Sequence, residues 1–240
     1  MPRFFTTQIQ GVTAVISGSD AAHIIGPLRM RPGDPLTVCD LSGWDYLCVI
    51  TSATSEQVVL RVYERTPCRS EPDVFVRLYQ ALPKGDKLES ITQKATELGV
   101  SEIIPVLTSR CVSRPDAKSM EKKRVRLEKI ALEAAKQSGR GKVPKIGELL
   151  TFKEAVEHMK SAELSLLCYE NADAPLSGLL TGKPKTISVL IGSEGGFSPE
   201  EAQFAASGDI HTVSLGKRIL RCETAPVAVL SAVFFAMGEF

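Results

Sequence analysis

The feature that most constrains this chain is a change of pattern near residue 73. Before it, short β-like runs at 12–16, 36–39, 46–52 and 58–63 are punctuated by turn residues such as Arg31-Pro32-Gly33-Asp34 and Ser42-Gly43, with room for one short helix over 19–26. Short strands at this spacing predict a small barrel. After it, apolar strand-like runs at 74–81, 102–107, 164–169, 186–191 and 212–215 alternate with helical stretches, the clearest at 86–98 and 119–138. In the first helix Leu88, Ile91, Ala95 and Leu98 share a face, and Gly99 stands where a left-handed cap is wanted. Such alternation predicts an α/β fold with a mainly parallel sheet covered by helices. The polar, proline-containing stretch 66–73 reads as a linker, giving two domains, 1–72 and 73–240.

Ligands of parallel sheets bind beyond the carboxyl ends of the strands, so the loops there carry the functional signal. In Ile191-Gly192-Ser193-Glu194-Gly195-Gly196-Phe197-Ser198, Ser198 is a natural N-cap, followed by Pro199 as the first helical residue and Glu201 as the capping-box partner. Three glycines between strand and helix permit close backbone approach to a nucleoside or an anion; they also suit a plain tight turn. A second loop, Leu215-Gly216-Lys217-Arg218-Ile219-Leu220-Arg221-Cys222-Glu223-Thr224, feeds an apolar helix over 225–237, with Thr224 expected as N-cap. Its charges either ring a site or form a salt-bridged surface loop.

From Arg110 to Lys145 twelve Lys and Arg face four acids, a local charge of +8 in a chain whose formal total is +1. That segment matches a phosphate backbone, or a solvated helix whose Lys and Glu pair along one face. Other chemistries are excluded. The six cysteines form no CxxC pair, and none of the three histidines stands near one, so neither a zinc site nor a disulfide framework is expected. Gly178 to Pro184 is one residue short of a P-loop, and no GxGxxG, GxSxG or HExxH occurs. His23 reads as structural. The N-terminus lacks the apolar core of a signal peptide, and the longest apolar stretch, 226–237, is too short to span a bilayer. The expectation is a cytoplasmic protein with reduced thiols, no metal and no membrane contact.

Taken in order, the motifs resemble the bacterial 16S ribosomal RNA uracil-N3 methyltransferases of the SPOUT superfamily. The resemblance runs through Arg3-Phe4-Phe5, His23 with Leu28-Arg29 and Gly33-Asp34, Lys84, Lys94-Ala95-Thr96-Glu97-Leu98-Gly99-Val100, Pro105, Arg110, Glu133-Ala134-Ala135-Lys136-Gln137-Ser138-Gly139-Arg140, Val143-Pro144 and both loops. Ser193 stands where that family usually has proline, and Cys222 where it usually has threonine.

The resemblance implies a PUA-like RNA-binding barrel over 1–72 and a SPOUT α/β domain with a trefoil knot over 73–240. It implies S-adenosyl-L-methionine as cofactor, held by Ile191, Gly192, Gly195 and Gly196, by Leu215, Gly216, Ile219 and Leu220, and by the strand end at Cys168 and Glu170, within a homodimer that completes each site. The implied substrate is 16S ribosomal RNA or the small ribosomal subunit. Methylating uracil N3 requires loss of a weakly acidic proton and stabilisation of the resulting anion, for which Arg221 is the expected cation and Glu194 or Glu223 the expected proton acceptor. Expected RNA contacts are Arg3, Arg29, Arg110, Arg140 and Lys142. A catalytically inactive RNA-binding factor and a transfer RNA methyltransferase of the same superfamily are the alternatives.

Overall fold

The computed structural model describes all 240 residues, in two compact units: 1–71 with 135–143, and 72–134 with 144–240. Each continuous domain read from the sequence is thus modified at 135–143, which joins the first unit.

In the first unit β1 (Arg3–Phe5), β2 (Ile9–Gln10), β3 (Thr13–Ser17), β4 (Pro35–Cys39), β5 (Trp44–Ala53) and β6 (Gln57–Pro67) form one sheet, ordered β1-β4-β5-β6-β3-β2, with α1 (Ser19–Ile25) between β3 and β4. β1 and β2 lie at opposite ends of that order yet are joined by three residues. Six flat strands would separate them by about 24 Å, whereas the chain from Phe5 to Ile9 reaches at most about 14 Å, so the sheet must curl back on itself. The Thr6 hydroxyl donates to the Val15 carbonyl at 2.7 Å across that gap. The concave face holds Ile16, Leu36, Val38, Ile50, Val58 and Leu60, which alternate with outward residues as a half-buried sheet requires.

The stretch read as a linker is structured. Thr66 and Pro67 complete β6, and Glu71 accepts from Arg140 (Nη2 2.9 Å, Nε 3.2 Å) and from the amides of Gly141 (2.8 Å) and Lys142 (3.0 Å). Gly141 has to be glycine, because a Cβ there would come 2.5 Å from that of Cys68.

The second unit is built on parallel strands β7 (Phe75–Ala81), β8 (Glu102–Leu107), β10 (Leu150–Thr151), β11 (Leu164–Cys168), β12 (Thr186–Ile191) and β13 (His211–Val213), ordered β10-β8-β7-β12-β11-β13, with β9 (Lys145–Ile146) also on β8. Helices α2 (Lys87–Leu98), α3 (Ala117–Gln137), α4 (Phe152–Met159), α5 (Pro199–Ala206) and α6 (Ala225–Met237) connect or follow them. α2 buries Leu88, Ile91 and Ala95, and Gly99 caps it at φ +111°. α6 packs on α2, with Phe234 against Gly99. Tyr79, Ile104, Phe152, Met159, Leu190 and Phe197 form the core between sheet and α4. No helix is long and apolar enough to cross a membrane.

Candidate functional site

β12 ends at Ile191, and its loop folds back at once, with the Gly196 amide donating to the Ser193 carbonyl at 3.0 Å. Gly196 sits at φ +64°, a conformation that disfavours any side chain, and a Cβ there would lie 2.7 Å from Glu170 Oε1, so the exposed Glu170 carboxylate would have to move. Gln80 on β7, fully buried, donates from Nε2 to the Gly192 carbonyl at 3.1 Å and steadies the start of the loop. At its end Ser198 and Glu201 form the expected capping box, and Glu201 also accepts from the Ser109 amide at 2.7 Å.

The second loop leaves β13 and is anchored by the Ser214 amide on the Ala174 carbonyl at 2.9 Å. Thr224 is the N-cap residue, as expected, but with helical backbone angles and no side-chain capping hydrogen bond. The Arg221 carbonyl accepts from the Thr224 and Ala225 amides at 2.8 and 2.9 Å, and Pro226 at the second helical position has no amide hydrogen to offer a cap.

Together with the end of β11, these loops enclose a cavity of about 540 Å³. Every residue assigned above to the cofactor or to catalysis lines it, as does Lys87. Ile191, Leu215 and Leu220 give it an apolar wall, while Glu170, Glu194 and Glu223 supply carboxylates. Burial pushes the thiols of Cys168 and Cys222 up to about 12, with Glu223 adding to the effect at Cys222, which favours the neutral thiol over the thiolate at both.

Lys87 was not singled out by the sequence. Its Nζ lies 2.9 Å from Glu194 and 3.6 Å from Glu223, tying one loop to the other. Burial pushes the Glu194 carboxyl up, but hydrogen bonds from Lys87 and from the Lys84 amide outweigh it and hold the group below its ordinary range. Glu223 is lowered by the hydrogen bond from the Cys222 thiol and by Lys87. The hydrogen bond to Glu194 in turn raises Lys87. Glu223 is therefore paired with Lys87, leaving the exposed Arg221 guanidinium outside that pair.

The five residues expected to meet RNA are used differently. Arg29 and Lys142 are exposed, and Arg110 is exposed while donating to the Gly195 carbonyl at 3.0 Å. Arg3 and Arg140 require correction. Arg3 is spent on Asp45 at 2.8 Å and on the Gly139 and Arg140 carbonyls. Arg140, only 3% exposed, clamps Glu71, so it is unavailable to a phosphate. On α3, Arg124 pairs with Glu121 and Glu128, and Arg126 with Glu89, while Lys118, Lys122 and Lys129 are exposed and outside these pairs.

A family model described as an RNA methyltransferase domain matches residues 70–234. The chain belongs to this RNA methyltransferase family. It is similar to ribosomal RNA small subunit methyltransferase E of Bacillus subtilis (strain 168), with 37% identity covering 93% of this chain and 90% of that protein. The protein of the same name from Synechocystis sp. is 32% identical, covering 94% and 74%. Among solved structures, ribosomal RNA small subunit methyltransferase E from Neisseria gonorrhoeae bound to S-adenosyl methionine matches with a TM-score of 0.83 and 30% identity over 98% of this chain and 97% of that one. The mixed α/β architecture of this family member is thus shared over nearly its whole length.

Proposed function

We propose that this protein transfers a methyl group from S-adenosyl-L-methionine to N3 of a uracil in 16S ribosomal RNA. The observation that carries the reading is the convergence of the loops after β11, β12 and β13 on one cavity, in a chain so similar to small subunit methyltransferases E. The residues present fit the cofactor: about 540 Å³ lies within the usual range for small-molecule sites of roughly 300–1,000 Å³, apolar and carboxylate groups both face it, and Gly216, at φ +103° with nothing near its missing Cβ, leaves one wall open. Ile191, Leu215, Ile219 and Leu220 would hold the cofactor's apolar parts, with Cys168, Gly192, Gly195 and Gly196 supplying close backbone and Glu170 a polar anchor.

When bound, S-adenosyl-L-methionine supplies the methyl group as an electrophile. Uracil N3 carries a weakly acidic proton that has to leave as charge spreads onto the flanking carbonyl oxygens. Arg221, exposed at the cavity, stabilises that charge; a guanidinium keeps its proton at neutral pH and so cannot itself be the base. Glu194 and Glu223 are the acceptors within the cavity, but Lys87 weakens both as bases. Charge stabilisation and alignment of the ring therefore carry most of the rate.

In this reading the first unit is a PUA-like barrel that binds RNA, which the curled six-stranded sheet supports. The second is a SPOUT methyltransferase domain with a trefoil knot. Support comes from the path of residues 214–224, which start at the sheet edge and return to α6 on α2, held beside the connection from β11 to β12 by the bond from Ser214 to Ala174. A homodimer would cover Phe235 and Ile219, 73% and 86% exposed in one chain, and light scattering should return twice the 26.0 kDa chain mass. The reading places the protein in the cytoplasm with its ribosomal substrate. Its direct test is methyl transfer from labelled S-adenosyl-L-methionine to 16S RNA or small subunits, followed by nucleoside analysis. N3-methyluridine is expected; label on another atom or base would overturn the assignment.

A further inference from the structure

We propose that the first unit carries a stacking site for one unpaired RNA base, built from Trp44, Tyr46 and Arg65. Trp44 and Tyr46 are two residues apart on β5 and so share a face, and Arg65 on β6 is paired in register with Tyr46. The Arg65 guanidinium carbon lies 3.8 Å from the centre of the Trp44 ring and 5.6 Å from that of Tyr46. Arg65 is exposed, so the cation that rests over Trp44 and beside Tyr46 still meets solvent.

Beside it opens a cavity of about 450 Å³ lined by Thr7, Ile9, Gly11, Asp40, Tyr46 and Arg65. Asp40 receives the Ser42 and Trp44 amides on Oδ1 (2.8 and 3.2 Å) and the Tyr46 hydroxyl on Oδ2 (3.1 Å), which leaves Oδ2 room for a further donor. These groups select among ligands. A phosphate would meet the ionised Asp40, whereas a nucleobase offers a ring to the guanidinium and N–H groups to the carboxylate. Stacking on an aromatic and arginine platform is how single strands are held without reliance on sequence.

This inference rests on the reading that RNA is the substrate, and goes beyond it in naming the surface and the mode of contact. It also adds a base contact to the exposed cations Arg29 and Lys142 of the first unit, where Arg3 is engaged by Asp45 and Arg140 by Glu71.

The chain has a single tryptophan, so the emission of Trp44 reports on this site alone. Titration of the full-length protein with a mixed-sequence single-stranded RNA of about twelve nucleotides should quench that emission saturably, and the same strand annealed to its complement should not. Arg65→Lys keeps the charge but loses the plane; it should weaken binding about tenfold or more without flattening the salt dependence. Because Arg65 is exposed the variant is expected to fold, and circular dichroism checks it. Unchanged Trp44 emission while filter binding registers the same RNA would overturn the stacking site and leave the enzyme reading standing. Full binding by Arg65→Lys would overturn it too, making the residue a phosphate contact. Failure of the wild type to bind or methylate any RNA would sink both readings.

Discussion

Two charged clusters drawn from similar residues have opposite fates in this molecule. In the first unit the side chains of Arg140 and Glu71 are 4% and 13% exposed, and Glu71 is filled by one guanidinium and two backbone amides. At the cavity of the second unit Lys87, Glu194 and Glu223 are 36%, 31% and 28% exposed, and both carboxylates keep accessible oxygen on the lining of a 540 Å³ space. Residue type does not separate a clamp from a site. What separates them is whether neighbours have already used the polar groups, and whether open volume remains beside them.

The largest effect should come from opening the clamp. Glu71→Ala removes the carboxylate that accepts from the buried Arg140 guanidinium and from the Gly141 and Lys142 amides, and removal of one partner from such a pair costs about 3–5 kcal/mol. Denaturant unfolding should register that loss, while calorimetry finds S-adenosyl-L-methionine binding unchanged. Lys87→Ala, by contrast, removes only partly exposed pairs, whose usual worth is about 0–1 kcal/mol of stability. Equal losses from the two variants would break the distinction.

Next in size is Arg221→Ala. As an electrostatic donor needed mainly when uracil becomes anionic, Arg221 should contribute about 10²–10³-fold to the rate and little to cofactor affinity. Lysine should restore part of the rate. Single-turnover methylation alongside calorimetry separates the alternatives, since lost cofactor binding with a normal rate would make Arg221 a shaping residue like Arg140.

The same contrast marks what a sequence can disclose. The start of α5 is written locally: Ser198, Pro199 and Glu201 lie within four residues, and the cap they predict forms. Gly99 is similarly legible because the end of α2 demands a positive φ at one position. The cavity loops were found because glycine and charge cluster within short segments at strand ends. Lys87 was invisible because its partner Glu194 lies 107 positions away, and Gln80 because its bond to Gly192 spans 112. Arg140 misled for the same reason: composition registers a positive charge, but burial against Glu71 arises only once residues 135–143 join the first unit. β1, β2, β9 and β10, at two or three residues, and α4, at eight, are too short for periodicity to resolve.

The cavity cluster also makes a prediction about pH. Glu194 and Glu223 are held below their ordinary range, so their contribution is present above it and lost only as pH falls through the lowered values. Lys87 is raised, so its contribution is lost only as pH rises through a value above its ordinary one. Between roughly pH 5 and 9 the cluster keeps one charge state. The single-turnover rate should then rise towards the ionisation of uracil N3 itself, without an inflection near neutrality. Such an inflection in a pH–rate profile would point to a base with a raised pKa, and Glu194 and Glu223 would both be excluded from that role.

The smallest effect concerns the basic face of α3. With Arg140 enclosed, the residues of the +8 segment able to reach a phosphate backbone are exposed lysines such as Lys118 and Lys122, four positions apart and so on one face of the helix. Replacing both with Ala should weaken binding to a 16S RNA fragment only modestly at moderate salt, yet flatten its logarithmic salt dependence by roughly one to two units, since each lost phosphate contact forgoes about one released counterion. Base choice and cofactor affinity should survive, because phosphate contacts position a strand without reading it. Filter binding from low to moderate salt on wild type and the double variant measures the slope. Arg124→Ala is the matched control: its charge is already taken by Glu121 and Glu128, so removal should leave the slope nearly unchanged. If Arg124→Ala flattened the slope as much as the lysine pair did, prior pairing would not decide which charges are available, and the contrast between clamp and site would lose its physical basis.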